Sequence, residues 1–392
     1  MPEGARVRKT VGWIAIAVLL AGCAGANAAQ PVANASSMSV ASSPAPAAQP
    51  QASDSPQALA DAAKHDGTPL VRGTKLTFVY QGKPGDHVQI SGGVNLDLTA
   101  ADQSGLFAGS VEVPDLAHAI ISYTLVVNGQ PTRDPLSRLP AMKEGSPVVI
   151  YRGAKAPHPA ELTPNPKVPA GSVAGRTLQS SVLQESRKVW VYLPPGFSAS
   201  NPCPTLLLAD GQMYFDGSIH LPTILDNLIA EGKIPPVAAI GVESRTDTRL
   251  QDYVFKQPRF DAYQTFVRQE LLPWAAREFH LAPAAGEMVP VGLSNGGAWA
   301  LYTSLIEPDR FAGAILQSAL TPESTLPPLP QGKRYFLSAG TLDPNAIALQ
   351  NQLAPLLKQA GNQVKTVQGV SGHDAALMET QLVEGLTWLF AK

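Results

Sequence analysis

Charge is scarce in this 392-residue chain: Asp, Glu, Lys and Arg together make up 15%, against about 25% in an average globular protein. The formal net charge is only −2. No basic field exists to gather phosphate backbones and no run of like charges marks a tail, which excludes nucleic acid as a partner. Cysteine is scarcer still, with two residues. If Cys23 is consumed in processing, Cys203 stands alone and an intramolecular disulfide is excluded. Cys203 lies in Asn201-Pro202-Cys203-Pro204 without an adjacent base, just before an apolar run, and reads as a small buried residue rather than a nucleophile. Metal-ligand spacings, a G-x-G-x-x-G turn and a P-loop are all missing, so the chemistry is expected to need no metal or cofactor. The apolar run from Val11 to Ala21 is too short to span a bilayer as a permanent helix.

What is present divides the chain. Arg6, Arg8 and Lys9 precede the Val11–Ala21 run, giving residues 1–28 the form of a signal peptide. The run ends in Leu20-Ala21-Gly22-Cys23, which resembles a bacterial lipobox and makes Cys23 a lipidation candidate and possible membrane tether. Cleavage after Ala26-Asn27-Ala28 is the competing reading. Residues 29–65, rich in Ala, Ser, Pro and Gln, are expected to be a disordered linker, because few large apolar side chains are there to offset the entropy of ordering. Thirty-six prolines in the whole chain, near twice the usual share of about 5%, fit an exported protein carrying such a linker. Over 70–151, short alternating runs such as Lys75–Tyr80, Gly105–Val113 and Ile121–Val127 are separated by turn residues, with Asn128-Gly129 as a hairpin signal. They predict a small all-β, immunoglobulin-like sandwich. A Pro-rich connector follows over 152–174. From 175 to 392, apolar strand-like runs alternate with amphipathic stretches such as Tyr263–Phe279 and Leu349–Gln359. This order predicts an α/β-hydrolase fold: a mostly parallel sheet with helices on both faces.

The chemistry centres on Gly292-Leu293-Ser294-Asn295-Gly296-Gly297, a G-x-S-x-G placed between a strand and a helical pattern. Such a turn holds a serine nucleophile at a strained backbone position with glycines on either side. A serine hydroxyl needs a base, and in this fold the order along the chain is Ser, acid, His. His373 is the only histidine after Ser294; the other six precede it. Asp343 follows the strand Tyr335–Ala339 and is the leading candidate for the acid that orients His373, with Asp374 and Glu323 as alternatives. Asp374 also reads as a helix cap. For the oxyanion hole the backbone N–H of Asn295 and that of Gln212, in Asp210-Gly211-Gln212, are the expected donors.

Taken together, Arg187 to Gly196, Asp210-Gly211-Gln212, Ile234 to Val237, Glu270 to Pro273, Gly292 to Gly297 and Gly372-His373-Asp374 resemble the enterochelin esterase group. That group belongs to a larger esterase family that also holds esterase D, feruloyl esterases and mycolyltransferases. The resemblance covers roughly residues 175–392 and, more weakly, 70–150, where Asp134-Pro135-Leu136 matches the close of the group's N-terminal module. It implies a carboxylic ester hydrolase acting through an acyl-enzyme on a catecholate trilactone siderophore. The N-terminal signal segment adds the expectation of export to the periplasm or outer membrane of a Gram-negative bacterium. Where the family often has Arg-x-x-Glu, this chain has Arg249-Leu250-Gln251-Asp252, and Arg245 and Arg249 are candidates to meet an anionic substrate. Three readings stand beside it: a feruloyl or acetyl esterase on polysaccharide with the sandwich as carbohydrate-binding module, an acyltransferase with the same triad, and a non-catalytic binding lipoprotein.

Overall fold

The computed structural model describes residues 55–320 and 326–391. The signal segment, Cys23 and Glu323 lie outside the described residues. By internal contacts the chain forms two compact units. The first takes residues up to 91, 95–112 and 124–139; the second takes 92–94, 113–123 and 140 onward. Among the described residues no helix is long and apolar enough to cross a membrane.

The stretch expected to be a linker over 29–65 gives way to a helix at Pro56–Asp66. Ser55 caps it by accepting from the Ala58 N–H, and Pro56 sits at its first turn, where the missing N–H costs nothing. Composition alone hid this helix, because its apolar face is built from Leu59, Ala60, Ala62 and Ala63 packed around Leu70, Val79 and Leu106.

Eight strands then form an antiparallel sheet: β1 (Leu70–Arg72), β2 (Lys75–Gln81), β3 (Val88–Gly92), β4 (Leu96–Ala100), β5 (Leu106–Glu112), β6 (Ile120–Val127), β7 (Gln130–Thr132) and β8 (Val149–Arg152). Their order is β1-β2-β5-β4-β3-β6-β7, with β8 also on β6. Asn128 and Gly129, with φ of 51° and 78°, make the β6–β7 hairpin turn that the dipeptide predicts. The sequence reading expects two facing sheets. Instead β4 bonds to β3 on one side and β5 on the other, and the pairing continues as one sheet. Alternation reports which face of a strand is buried; it does not report which neighbour the strand takes.

The second sheet lies wholly in the second unit and runs β16-β15-β14-β13-β11-β12-β10-β9. Its strands are β9 (Ser172–Ser180), β10 (Glu185–Leu193), β11 (Thr205–Leu208), β12 (Ala238–Val242), β13 (Met288–Leu293), β14 (Gly313–Gln317), β15 (Arg334–Gly340) and β16 (Gln363–Gly369). The pairs from β12 through β11, β13, β14 and β15 to β16 are parallel, while β10 meets both β9 and β12 antiparallel. Strands β11, β12, β13 and β14 are buried along their whole length, as expected when helices cover both faces. Around them packs a core that includes Trp299, Tyr253, Tyr263, Phe260, Leu207 and Ile240. The amphipathic stretch Tyr263–Phe279 is not one regular helix. It comprises an α-helix over Phe260–Phe266, a π-helical segment Val267–Leu271 and an α-helix over Leu272–Phe279, and Pro273 sits in the first turn of the last.

Candidate active site

Strand β13 delivers Ser294 to a sharp turn. Ser294 has φ 56° and ψ −126°, a conformation that side chains other than glycine's rarely adopt, and the helix Asn295–Ile306 starts directly after it. The turn is pinned from both sides: the Ser294 N–H donates to Gln317 O on β14 (2.9 Å), and the Ser294 carbonyl accepts from Leu320 N (3.3 Å). Its glycines are steric necessities. A Cβ on Gly292 would stand 2.0 Å from Gly296 O, and one on Gly296 would stand 2.8 Å from Asp210 Oδ2. Ser294 itself is buried.

Two further loops at the carboxyl ends of neighbouring parallel strands bring Asp343 and His373 together. Asp343 follows β15 and His373 follows β16, and His373 Nδ1 lies 2.7 Å from Asp343 Oδ2. The other oxygen of Asp343 accepts from Ala346 N (3.2 Å) and so caps the helix Pro344–Gln359, which fixes the carboxylate before it meets the ring. With Nδ1 turned to a carboxylate it carries the proton, and Nε2 is left as the basic nitrogen. Nε2 is buried and has no hydrogen-bond partner among the described residues. The alternative acid Asp374 points elsewhere. Its carboxylate accepts from Ser122 N (2.6 Å), Ser122 Oγ (2.7 Å), Ser371 Oγ (2.9 Å) and Ala376 N (2.8 Å), the last of these capping the helix Ala375–Phe390. Burial pushes this carboxyl above its ordinary range, against the hydrogen bonds that favour ionisation.

Asn295 and Gln212 occupy equivalent places. Asn295 opens the helix after Ser294, and Gln212 lies in the first turn of the short helix Gly211–Phe215 after β11. N–H groups of a first turn have no intrahelical acceptor. The two turns are neighbours, since β11 and β13 pair in parallel and Asp210 Oδ2 closes on Gly296. The Gln212 side chain is anchored away from its own N–H: Nε2 donates to Ser244 Oγ (2.7 Å), and Oε1 accepts from Ser244 N (3.1 Å).

The two arginines part company. Arg245 keeps a half-exposed guanidinium beside Asp247 (3.1 Å) and Glu185 (3.5 Å). Arg249 corrects the sequence reading: it is buried rather than available to a ligand. Its Nε and a terminal nitrogen reach the two oxygens of Asp210 at 2.7 and 2.8 Å, and the same nitrogen donates to Leu293 O (3.3 Å). Arg249 thus ties the Gln212 turn to the last strand residue before Ser294. The departure from Arg-x-x-Glu also finds its place, because Asp252 accepts from Arg187 (2.6 Å) and Arg259 (2.8 Å). The Asp210–Arg249 pair escaped sequence reasoning. The signal available was the positive-φ Asp-Gly turn, since Asp210 has φ 57°. Cys203 is buried, as expected, and burial raises its thiol. Among the described residues no cluster of His, Cys, Asp or Glu is arranged to hold a metal.

Residues 180–359 match the family model described as "Putative esterase". The iron(III) enterobactin esterase of Dickeya dadantii is 26% identical over 236 residues, covering 54% of this chain and 53% of its own length. That of Escherichia coli K12 is 25% identical over 240 residues, covering 56% and 57%. The chain therefore spans about half the length of the curated relatives it matches. A solved ferric enterobactin esterase from Salmonella typhimurium aligns with a TM-score of 0.65 at 22% identity, covering 80% of this chain and 93% of the other. An enterobactin esterase from Shigella flexneri aligns with a TM-score of 0.61 at 21%, covering 80% and 92%. At these identities the structural likeness speaks to fold alone: an α/β-hydrolase-like body with an all-β N-terminal region. The family match over residues 180–359 and the relatives beside it support an esterase-family assignment.

Proposed function

We propose that this protein is a carboxylic ester hydrolase in which Ser294 is the nucleophile, His373 the general base and Asp343 the acid that orients it. The observation that carries the reading is the 2.7 Å Asp343–His373 contact, which leaves His373 Nε2 basic, combined with the strained Ser294 turn. As Ser294 Oγ attacks the ester carbonyl, Nε2 takes its proton. The tetrahedral oxyanion is held by the N–H groups of Asn295 and Gln212, and the imidazolium then protonates the departing alcohol to leave an acyl-enzyme. Water deprotonated by the same nitrogen releases the acid. Asp343 stays ionised throughout and stabilises the imidazolium.

The substrate reading is a catecholate trilactone siderophore, opened at an ester of its backbone. It is supported by the matched relatives, which are named iron(III) enterobactin esterases, and by the Asp210-Gly211-Gln212 turn. Contact with the anionic substrate falls to Arg245 alone, which follows Ser244 and so adjoins the Gln212 turn. The signal-like segment and Cys23 support, as part of the same reading, a location outside the cytoplasm with a lipid tether at Cys23.

The test is product analysis by mass spectrometry after incubation with a catecholate trilactone and with a simple activated ester, using Ser294→Ala as control. Serine-dependent opening of the trilactone is expected. Cleavage of the simple ester alone would keep the hydrolase and reject the siderophore; no serine-dependent cleavage of either would reject the hydrolase.

A further inference from the structure

We infer that Ser122 and Gly93, far from the triad in sequence, are positioning residues for the catalytic base, holding the loop that presents His373. The inference rests on the proposed hydrolase reading. Both residues fall in the same compact unit as the triad, although they lie in the part of the chain that sequence reasoning assigns to a separate module.

Among the described residues the His373 ring has one hydrogen-bond partner, Asp343. Its position therefore depends on the peptide on either side, and each side is held by the early segment. On the N-terminal side Gly372 N donates to Gly93 O (2.8 Å), and Ile120 N donates to Val370 O (3.0 Å). On the C-terminal side Ser122 gives both its N–H and its hydroxyl to the carboxylate of Asp374, 252 residues later in the chain. The two early residues are also joined, since Gly93 N donates to Ser122 O (2.8 Å). The acid loop enters the same frame, because Leu342 N donates to Ser371 O (2.8 Å) next to Asp343.

This frame is buried and closely fitted. Ser122, Ser371 and Asp374 are buried. A Cβ on Gly93 would fall 2.2 Å from Asp374 Oδ2 and 2.7 Å from Ser371 Oγ, and one on Gly372 would fall 2.4 Å from Gly93 O. Ser122 lies on β6, where a hydroxyl could point at many partners; here both of its donors converge on the residue adjoining the base. Loss of the Ser122 hydroxyl leaves the strand pairing intact and removes one of the four donors that fix Asp374. Proton transfer requires alignment of Nε2 with the serine oxygen, so a shift of the loop should lower turnover more than binding.

The experiment is steady-state kinetics of the full chain on p-nitrophenyl butyrate, with competent sites counted by a fluorophosphonate that labels the nucleophile. Ser122→Ala is expected to lower kcat per competent site about 10- to 100-fold, the scale of a 1 Å misplacement, with KM changed little. Ser122→Thr, which keeps the hydroxyl, should recover most of the loss. Gly93→Ala should show the same kcat defect; should it not fold, the two Ser122 variants decide. An unchanged kcat per competent site in Ser122→Ala overturns the inference, as does an equal loss in Ser122→Thr. A wild-type chain without Ser294-dependent hydrolysis would overturn the hydrolase reading with it, whereas an active wild type beside an unaffected Ser122→Ala overturns this inference alone.

Discussion

Two buried aspartates at the carboxyl ends of the central strands each hold a cationic or basic partner, and they do opposite work. Asp210 meets Arg249 with both oxygens, and the guanidinium also donates to the carbonyl of Leu293. Asp343 meets His373 with one oxygen and a helix N–H with the other, and the far nitrogen of the ring has no partner among the described residues. An arginine in such a pair cannot give up its proton, so the Asp210 pair fixes backbone around the nucleophile turn. A histidine can, which is why the proposed mechanism gives the Asp343 pair the reactive role. What separates a structural pair from a reactive one here is the atom left over.

Breaking the reactive pair should have the largest effect on function and a small one on the fold. Asp343→Asn is expected to cut kcat by about 10⁴-fold, because an amide favours the wrong tautomer of the ring. Thermal unfolding should move little, since the amide oxygen can still accept from Ala346 N. A variant retaining more than a tenth of wild-type turnover would show that another group orients the base.

Breaking the structural pair should reverse the pattern. Asp210→Asn leaves the Arg249 charge buried without a full counter-charge, and a change of that kind costs about 3–5 kcal/mol. Asn tolerates the left-handed backbone of this turn, so the cost isolates the charge rather than the conformation. Denaturant unfolding should show an earlier midpoint at unchanged slope, with activity per folded molecule reduced less than in Asp343→Asn. An unaltered midpoint would mean that the pair is not the brace described.

The third member of this family of contacts is the half-exposed one. Arg245→Gln should leave turnover of a neutral ester as it is and raise KM for an anionic catecholate by a few-fold at most, as screening by solvent limits such charges. Equal effects on both substrates would remove Arg245 from the substrate's path.

The strained Ser294 turn was legible in the sequence because it is local: glycines, serine and helix start lie within a few residues, and backbone geometry dictates their order. His373 and Asp343 were reached by chain order and the strand run before each. Helix Asn295–Ile306 follows the serine where the helical pattern was read, while β9, exposed over most of its length, and β16, with no buried position, escaped a search for buried runs. What stayed hidden is nonlocal. No periodicity announces that Arg249 will turn inward to Asp210, because an arginine near a loop carries the same pattern whether solvated or paired. Nor could spacing show that Gly93 and Ser122 close on the loop of His373, since a glycine between two strands reads first as a turn. The all-β region was visible by alternation, and its single sheet was not, because neighbours are chosen by packing.

The smallest effect expected lies between these cases, at a histidine that pairs without being buried. His220 Nδ1 lies 2.7 Å from Glu379 Oε1, and its ring is about half exposed while the carboxylate is buried. The hydrogen bond to Glu379 raises the imidazole above its ordinary value of 6.5, with burial and Lys143 opposing. A raised histidine binds its proton more tightly in the folded chain, so its stabilisation is complete below the unfolded value, near 6.5, and fades as pH climbs through the higher folded value. His220→Gln keeps the backbone bond from residue 220 to Glu379 and removes the titrating ring. Its unfolding midpoint should fall below that of the wild type at about pH 6 by the equivalent of under ~1 kcal/mol, and the two should converge by about pH 9. A gap that persists or widens on raising the pH would assign the contact to packing. His220 would then join Arg249 as a residue whose partner fixes shape, in contrast to the role proposed for His373.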